Sequence, residues 1–162
     1  MIRLLPVLAL MALAACASTP KPEREPRDPL PLYPNETPEI RALVNHYADL
    51  NEIPRPLLHR VIQRESHYRP HARNGPYYGM MQILPATARS MGFRGSPKDL
   101  LDAETNLKYA TRYLRGAWLV SGGDKDAAVM WYARGYYYAA RDQCLLVETG
   151  LSTRETNRSC RN

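Results

Sequence analysis

A chain of 162 residues has room for one domain, and a hydrophobic fraction of 44% is sufficient for a packed core. The formal net charge is +6, but the positive charge forms no long basic run, so we expect no nucleic-acid partner. An anionic cell-envelope polymer, a membrane surface or a dispersed solvated face fits this charge equally well. The sequence contains no phosphate loop and no cofactor signature, so we expect no cofactor.

The amino terminus is typical of an export signal. Arg3 precedes a short apolar run over residues 4–13, which is too short to span a bilayer as a stop-transfer helix. Small residues then precede Cys16, an order that resembles the lipobox of bacterial lipoproteins. The resemblance implies a signal peptide over residues 1–15 and a lipid anchor at Cys16. The alternative is an ordinary signal peptide with an incidental cysteine.

Ala17 stands where lipoproteins held at the inner membrane carry Asp, so we expect a periplasmic protein anchored to the outer membrane. Residues 16–38 are rich in proline and charge, which predicts an extended tether with a reach of roughly 70 Å. The predicted domain covers residues 39–147, and residues 148–162 form a polar tail.

Apolar residues at helical spacing predict an all-α, compact bundle of short helices. Strand-like alternation is not convincing anywhere in the sequence. We predict helices that begin at Pro38, Pro56 and Asp102, and a further helix that begins at either Asp124 or Asp126. We also predict a short helix over residues 83–89 and a helix over residues 136–146 after Gly135.

Glu65 is the candidate catalytic residue. It follows Val61 and Ile62 at helical spacing and therefore shares the apolar face of the second helix. Because burial disfavours the charged form, such a carboxyl can stay protonated near neutral pH and donate a proton to a glycosidic oxygen. The alternative is a solvated acid at a helix end, where most glutamates lie.

An ordered set of motifs makes a family resemblance specific. Glu65-Ser66 is followed by Pro70, Ala72, the segments GMMQI at 79–83 and PATA at 85–88, Asp102 and Asn106, and finally Tyr132 and Gly135. Over residues 40–140 this pattern resembles the soluble lytic transglycosylase (SLT) domain of the lysozyme-like superfamily. The resemblance implies a goose-type lysozyme-like helical fold.

The resemblance also implies a carbon–oxygen lyase that acts on a polysaccharide. Such an enzyme cleaves the β-1,4 bond between N-acetylmuramic acid and N-acetylglucosamine in peptidoglycan and leaves a 1,6-anhydro end. Glu65 would protonate the leaving oxygen and then accept the proton of the muramoyl 6-hydroxyl. No second acid lies near Glu65 in the sequence, and helix capping is the favoured role for Asp99, Asp102 and Glu104.

The resemblance further implies contacts with the sugars, although a packing or capping role remains open for most of the candidates. The candidate substrate-binding residues are Ser66, Tyr78, Met80, Met81, Gln82, Tyr132 and Tyr136. The chain departs from the family pattern in a loop with Asn74 and Pro76-Tyr77-Tyr78, at Ala110 in place of Gly, and at Ala133-Arg134 in place of Asn-Ala. The first and third departures border the expected sugar cleft.

Cys144 and Cys160 form an even pair in an exported chain, so a disulfide between them is plausible, with free thiols as the alternative. The four histidines do not form a metal set, and we expect them at the surface: His46, His59, His67 and His71. We expect a monomer. Two other functions remain open, namely a lysozyme-like hydrolase with a second acid or a held water, and a wall-binding or assembly protein with weak or no catalysis.

Overall fold

A computed structural model describes residues 31–160. The predicted signal peptide, Cys16 and the tether up to residue 30 lie outside the described residues. Within residues 31–160, no helix is long and apolar enough to cross a membrane. The elements in chain order are α1 (Pro38–Leu50), α2 (Arg55–Glu65), β1 (Arg73–Asn74), β2 (Tyr77–Tyr78), α3 (Pro85–Ser90), a 3-10 helix (Pro97–Leu101), α4 (Ala103–Val120), α5 (Lys125–Arg134), α6 (Tyr137–Asp142) and a second 3-10 helix (Arg158–Cys160).

Three predicted helix starts are confirmed by their caps. The side chain of Thr37 accepts a hydrogen bond from the main-chain N–H of Ile40 at 3.2 Å. Asp102 and Asp124 accept equivalent bonds at 2.7 and 2.8 Å. Each cap satisfies a main-chain donor that the first helical turn leaves unpaired.

The core forms around α4, the longest helix, which packs against α1, α3 and α5. Its buried face carries Leu107, Ala110, Leu114 and Ala117, none of which has accessible surface. Burial of each large apolar side chain contributes about 1.5–3 kcal/mol relative to exposure. The prediction of an all-helical domain is therefore confirmed, with one addition.

That addition is a small antiparallel hairpin in the segment predicted to be a loop. Asn74 pairs with Tyr77, and Arg73 pairs with Tyr78. Gly75 has a φ of 56°, as required at the first central position of a two-residue hairpin turn of the primed types. Strands of two residues are too short to show alternation, which is why the pattern did not reveal them.

The domain begins earlier than predicted. Arg41 donates a hydrogen bond from Nε to Glu36 Oε1 at 2.6 Å, and both residues are buried. Burial alone would raise the pKa of Glu36, but hydrogen bonds from Arg41 and from the Tyr33 main chain lower it. His59 Nδ1 lies 3.7 Å from Glu36 Oε1 and is buried, so its predicted surface position is wrong. Residues 33–37 therefore belong to the domain and not to a tether.

The C-terminal segment is also more structured than predicted. The helix after Gly135 ends at Asp142 and not at residue 146, and Cys144 adopts a left-handed φ of 61°. Thr149 is buried and donates a hydrogen bond to the Leu145 carbonyl at 2.7 Å. In the structure, Cys144 and Cys160 form a disulfide. Residues 148–160 consequently pack on the domain.

Candidate active site

Glu65 is the last residue of α2, and its side chain opens into a cavity. The preceding Val61 and Ile62 are fully buried, whereas 23% of the Glu65 side chain is exposed. Burial raises the pKa of Glu65 above its ordinary value, and the charge of Arg64 opposes this rise. Arg64 Nε lies 3.8 Å from Glu65 Oε1. Burial therefore shifts this carboxyl toward its protonated form relative to an exposed glutamate, and the side chain remains accessible to a ligand.

Two adjoining cavities form a groove that passes Glu65. The first, of about 350 Å³, is lined by Glu65 together with Arg64 and Asn74. The second, of about 220 Å³, extends past α3 to Arg134. The two cavities share the lining residues Tyr77, Gln82, Tyr132 and Ala133, so we treat them as one site, the Glu65 groove.

Tyr132 connects the end of α5 to the segment that follows the hairpin. Its hydroxyl donates a hydrogen bond to the main-chain carbonyl of Met81 at 2.8 Å. Burial, with a smaller contribution from the charge of Glu65, raises the pKa of Tyr132 well above its ordinary value. Tyr132 therefore stays neutral in the wall of the groove beside the acid.

Gln82 holds the turn that faces Glu65. Its Nε2 donates hydrogen bonds to the carbonyls of Gly79 and Ala72 at 2.8 and 3.1 Å. Its backbone has a φ of 49°, a left-handed conformation that a side-chain-bearing residue adopts at a cost. With both amide hydrogens directed at main-chain oxygens, Oε1 is the atom that Gln82 can offer to a ligand.

Glu65 is the only carboxylate among the described residues that line the groove. The other three acids considered from the sequence have structural roles. Asp99 closes a capping box with Ser96, and Asp102 caps α4. Glu104 Oε1 accepts a hydrogen bond from the Tyr47 hydroxyl at 3.3 Å. The capping role predicted for Asp99 and Asp102 is confirmed.

Comparison with known protein families gives a match over residues 42–143 to the "Transglycosylase SLT domain". The chain belongs to the transglycosylase SLT domain family. The predicted membership in a family of transglycosylase enzymes is thereby confirmed, and the match covers most of the described residues.

A curated relative of this SLT domain is "Peptidoglycan transglycosylase gp16" of Escherichia phage T7, which is 33% identical over 106 residues. The aligned part is 62% of this chain but only 8% of the phage protein. The chain thus spans a small fraction of that relative. No solved structure matches.

Four of the predicted substrate-binding side chains lie in the core of the SLT domain. Met80 and Met81 are 0% exposed, and Ser66 and Tyr136 are 1% exposed. Ser66 Oγ donates a hydrogen bond to the Met80 carbonyl at 2.7 Å, and the Tyr136 hydroxyl donates one to the Tyr113 carbonyl at 2.8 Å. Direct contact of these side chains with a sugar is therefore not supported. Ser66 instead holds the Met80 main chain, and Tyr136 holds that of Tyr113, which lines the groove.

Tyr78 was predicted to contact the sugars, but the adjacent Tyr77 lines the groove instead. Tyr77 lines both cavities, whereas the ring of Tyr78 lies under the guanidinium of Arg73 at 4.4 Å. Adjacent residues of a strand point to opposite faces, so only one of the two can reach the groove. Recognition of the hairpin would have revealed this choice.

Both departures that were expected to border the cleft do line the groove. Asn74 and Tyr77 come from the altered loop, and Ala133 and Arg134 come from the end of α5.

Within residues 31–160, no cluster of three or more histidine, cysteine or acidic residues could hold a metal ion.

Proposed function

We propose that this chain is a peptidoglycan lytic transglycosylase. It would cleave the β-1,4 bond between N-acetylmuramic acid and N-acetylglucosamine and leave a 1,6-anhydromuramoyl end. The observation that carries the proposal is a lone carboxyl of raised pKa, Glu65, in a groove whose described lining contains no second carboxylate. Ordinary glycosidases place two carboxyl groups about the scissile bond.

The proposed reaction uses one acid twice. Protonated Glu65 donates its proton to the glycosidic oxygen, and the bond from that oxygen to the muramoyl C1 breaks. The Glu65 carboxylate then accepts the proton of the muramoyl 6-hydroxyl, and the oxygen of that hydroxyl forms a bond to C1. The substrate supplies the nucleophile, so no water is consumed and Glu65 is restored to its protonated form.

The groove offers groups that suit an amino sugar. Gln82 Oε1 can accept the N–H of an acetamido group, and Asn74, which lines the same cavity, can donate and accept hydrogen bonds. Tyr77, with 41% of its surface exposed, provides a ring face for a sugar. Tyr132 stays neutral beside Glu65 and therefore does not compete with it as a base.

The family and the name of the phage relative support the same substrate. Since the alignment covers 8% of the phage protein, that support concerns the domain alone. Membership in the SLT family favours an enzyme over a wall-binding protein without catalysis.

Location at the periplasmic face of the outer membrane is part of the proposal. It depends on the sequence pattern that ends at Cys16 and on Ala17. Lipidation of Cys16 would hold the domain beside the polymer that it cleaves, and we propose that the domain acts as a monomer. Cys16→Ala should remove the lipid mass and shift the protein out of the membrane fraction. Unchanged mass and fractionation would contradict the anchor.

Release of soluble fragments from purified peptidoglycan sacculi tests the activity. The wild-type domain should release muropeptides, and Glu65→Gln should release none, because glutamine keeps the shape of the side chain but cannot transfer a proton. The control is Glu39→Gln, an acid at the exposed start of α1. Release by Glu65→Gln at a rate comparable to that of the wild type would place the acid elsewhere.

A further inference from the structure

We propose that Arg134 binds a carboxylate of the muramoyl substrate and thereby selects acidic glycan over neutral glycan. The proposal rests on the proposed function, because it concerns the same groove and the same polymer. It adds a specificity-determining residue at the end of the groove away from the acid.

The position of Arg134 follows from the two cavities. Glu65 lines the first cavity and Arg134 lines the second, and the four residues shared by the cavities lie between them. A glycan bound at Glu65 would therefore extend past Arg134 if it followed the groove. In that pose the Arg134 side chain would lie beside the sugars that flank the scissile bond, and in the structure it forms no ion pair with the Glu65 carboxyl.

The charge of Arg134 is not neutralised within the part of the chain that the structure describes. The residue is exposed, and its side chain forms no hydrogen bond or ion pair with any of residues 31–160. The other cation in the groove, Arg64, lies beside Glu65. Arg134 is therefore the cation that remains available to an anionic ligand.

Local structure explains how the side chain is presented. Arg134 ends α5, and Gly135 follows with a φ of 83°, so the chain turns away immediately after it. A cation in the last turn of a helix is favoured by the helix dipole. In the family pattern that this chain resembles, a small alanine stands at this position, so the charge is a feature of this sequence.

Arginine suits a carboxylate because its planar guanidinium can donate two parallel hydrogen bonds. The sugar rings of peptidoglycan are neutral, and its carboxylates lie on the muramoyl substituent. One source is the lactyl group when no peptide is attached, and the other is the stem peptide. Both sources present a carboxylate to Arg134, and the glycans used in the test distinguish the lactyl carboxylate from the stem-peptide carboxylate.

The test measures dissociation constants by calorimetry in a Glu65→Gln background, in which no ligand is cleaved. Three glycans of equal length are compared: one with stem peptides, one with free lactyl carboxylates, and one whose lactyl carboxylates are converted to neutral methylamides. Arg134→Gln is compared with Lys125→Gln, which removes the same charge from the opposite, exposed end of α5. Arg134→Lys retains the charge without the bidentate geometry.

We expect Arg134→Gln to weaken binding of an acidic glycan about tenfold, with little change for the neutral glycan. Arg134→Lys should lose less, and Lys125→Gln should match the parent protein. A loss confined to the peptide-bearing glycan assigns the stem carboxylate, and a loss confined to the peptide-free acid assigns the lactyl carboxylate.

Three results would overturn the proposal: no loss with Arg134→Gln, an equal loss for all three glycans, or a parent protein that binds the neutral glycan as tightly as both acids. None of these depends on cleavage. Failure of the proposed function would appear separately, as wild-type protein that releases nothing from sacculi.

Discussion

The side-chain amide of Asn106 holds Met81 in place, because Oδ1 accepts the main-chain N–H of Met81 at 2.8 Å. The same amide donates from Nδ2 to the carbonyls of Tyr78 and Leu100, both at 2.9 Å. Asn106 is fully buried in α4, so water could not take the place of its amide if the side chain were removed. The three main-chain groups would then lose their hydrogen-bond partner. One buried residue thereby fixes the segment that carries Gln82 opposite Glu65.

Gly79 allows this contact, which leads to a first prediction. A Cβ at Gly79 would overlap the Asn106 side chain and the Leu100 carbonyl, whereas a Cβ at Gly122 would meet no atom within 4 Å. Both glycines have positive φ, at 74° and 63°. Gly122→Ala should therefore cost about 1 kcal/mol of unfolding free energy from backbone strain alone.

Gly79→Ala should reduce the free energy of unfolding by about 1–3 kcal/mol more than Gly122→Ala does, because the new methyl group also displaces packed atoms. Urea unfolding of the two variants measures the difference. Equal losses in Gly79→Ala and Gly122→Ala would show that the close approach of Asn106 does not restrict this position.

The raised pKa of Glu65 predicts that Glu65→Gln changes stability in a pH-dependent way. Because burial raises this pKa, the folded state holds the proton more tightly than the unfolded state, and stability is lost as pH rises through the folded pKa. Glu65→Gln should therefore raise the Tm at pH 7 and leave it unchanged below about pH 4, where the carboxyl is protonated in both states.

Glu39→Gln provides a control of opposite sign. A hydrogen bond with the Thr37 side chain lowers the pKa of Glu39, so its contribution is present at neutral pH and lost as pH falls. The Tm of both variants and of the wild type is measured between roughly pH 3.5 and pH 8, a range in which both carboxyl groups change from mostly protonated to ionised in the unfolded chain. A Tm of Glu65→Gln below that of the wild type at pH 7 would contradict a desolvated acid.

Arg64 should set the upper pH limit of activity. Its charge opposes the raised pKa of Glu65 from 3.8 Å, so Arg64→Gln should raise that pKa further. Since the protonated acid starts the proposed reaction, the alkaline limb of the pH–rate profile should move to higher pH. Arg55→Gln, at the other end of α2, is the matched control. A shift to lower pH in Arg64→Gln would contradict this role.

We expect the disulfide between Cys144 and Cys160 to stabilise the C-terminal segment against the domain. Cys144 and Cys160 are 16 residues apart, and closure of a loop of this size contributes about 3 kcal/mol to stability. Reduction should lower the Tm of the wild type, but not that of a Cys144→Ser/Cys160→Ser variant. Alkylation of both Cys144 and Cys160 as free thiols in denatured, unreduced protein, prepared in an oxidising compartment, would refute the pairing.

Sequence patterns predicted most of the fold because local chemistry determines those features. Helical spacing and side-chain caps identified the starts of α1, α4 and α5, and the apolar face of α2 predicted a carboxyl partly removed from water. These signals lie within a few residues of each other, so one sequence is sufficient to detect them.

The features that sequence patterns missed depend on contacts between distant segments. The burial of His59 depends on Glu36 and Tyr68, and the packing of Thr149 depends on the turn after α6. Met80 and Met81 belong to the motif, but their side chains are buried in the core, and Asn106 and Tyr132 form hydrogen bonds with the main chain of Met81. A motif shows which residues occur together, whereas the fold decides which of them face the ligand.

The fate of water during cleavage tests the central proposal most directly. Peptidoglycan is digested by the wild-type domain in H₂¹⁸O, and the released muropeptides are weighed by mass spectrometry, with a lysozyme digest as the reference for hydrolysis. If Glu65 acts alone and the 6-hydroxyl attacks, every new end should be a 1,6-anhydromuramoyl residue without ¹⁸O. Reducing muramoyl ends that carry ¹⁸O would make the enzyme a hydrolase and would require a held water or a second carboxylate in the groove.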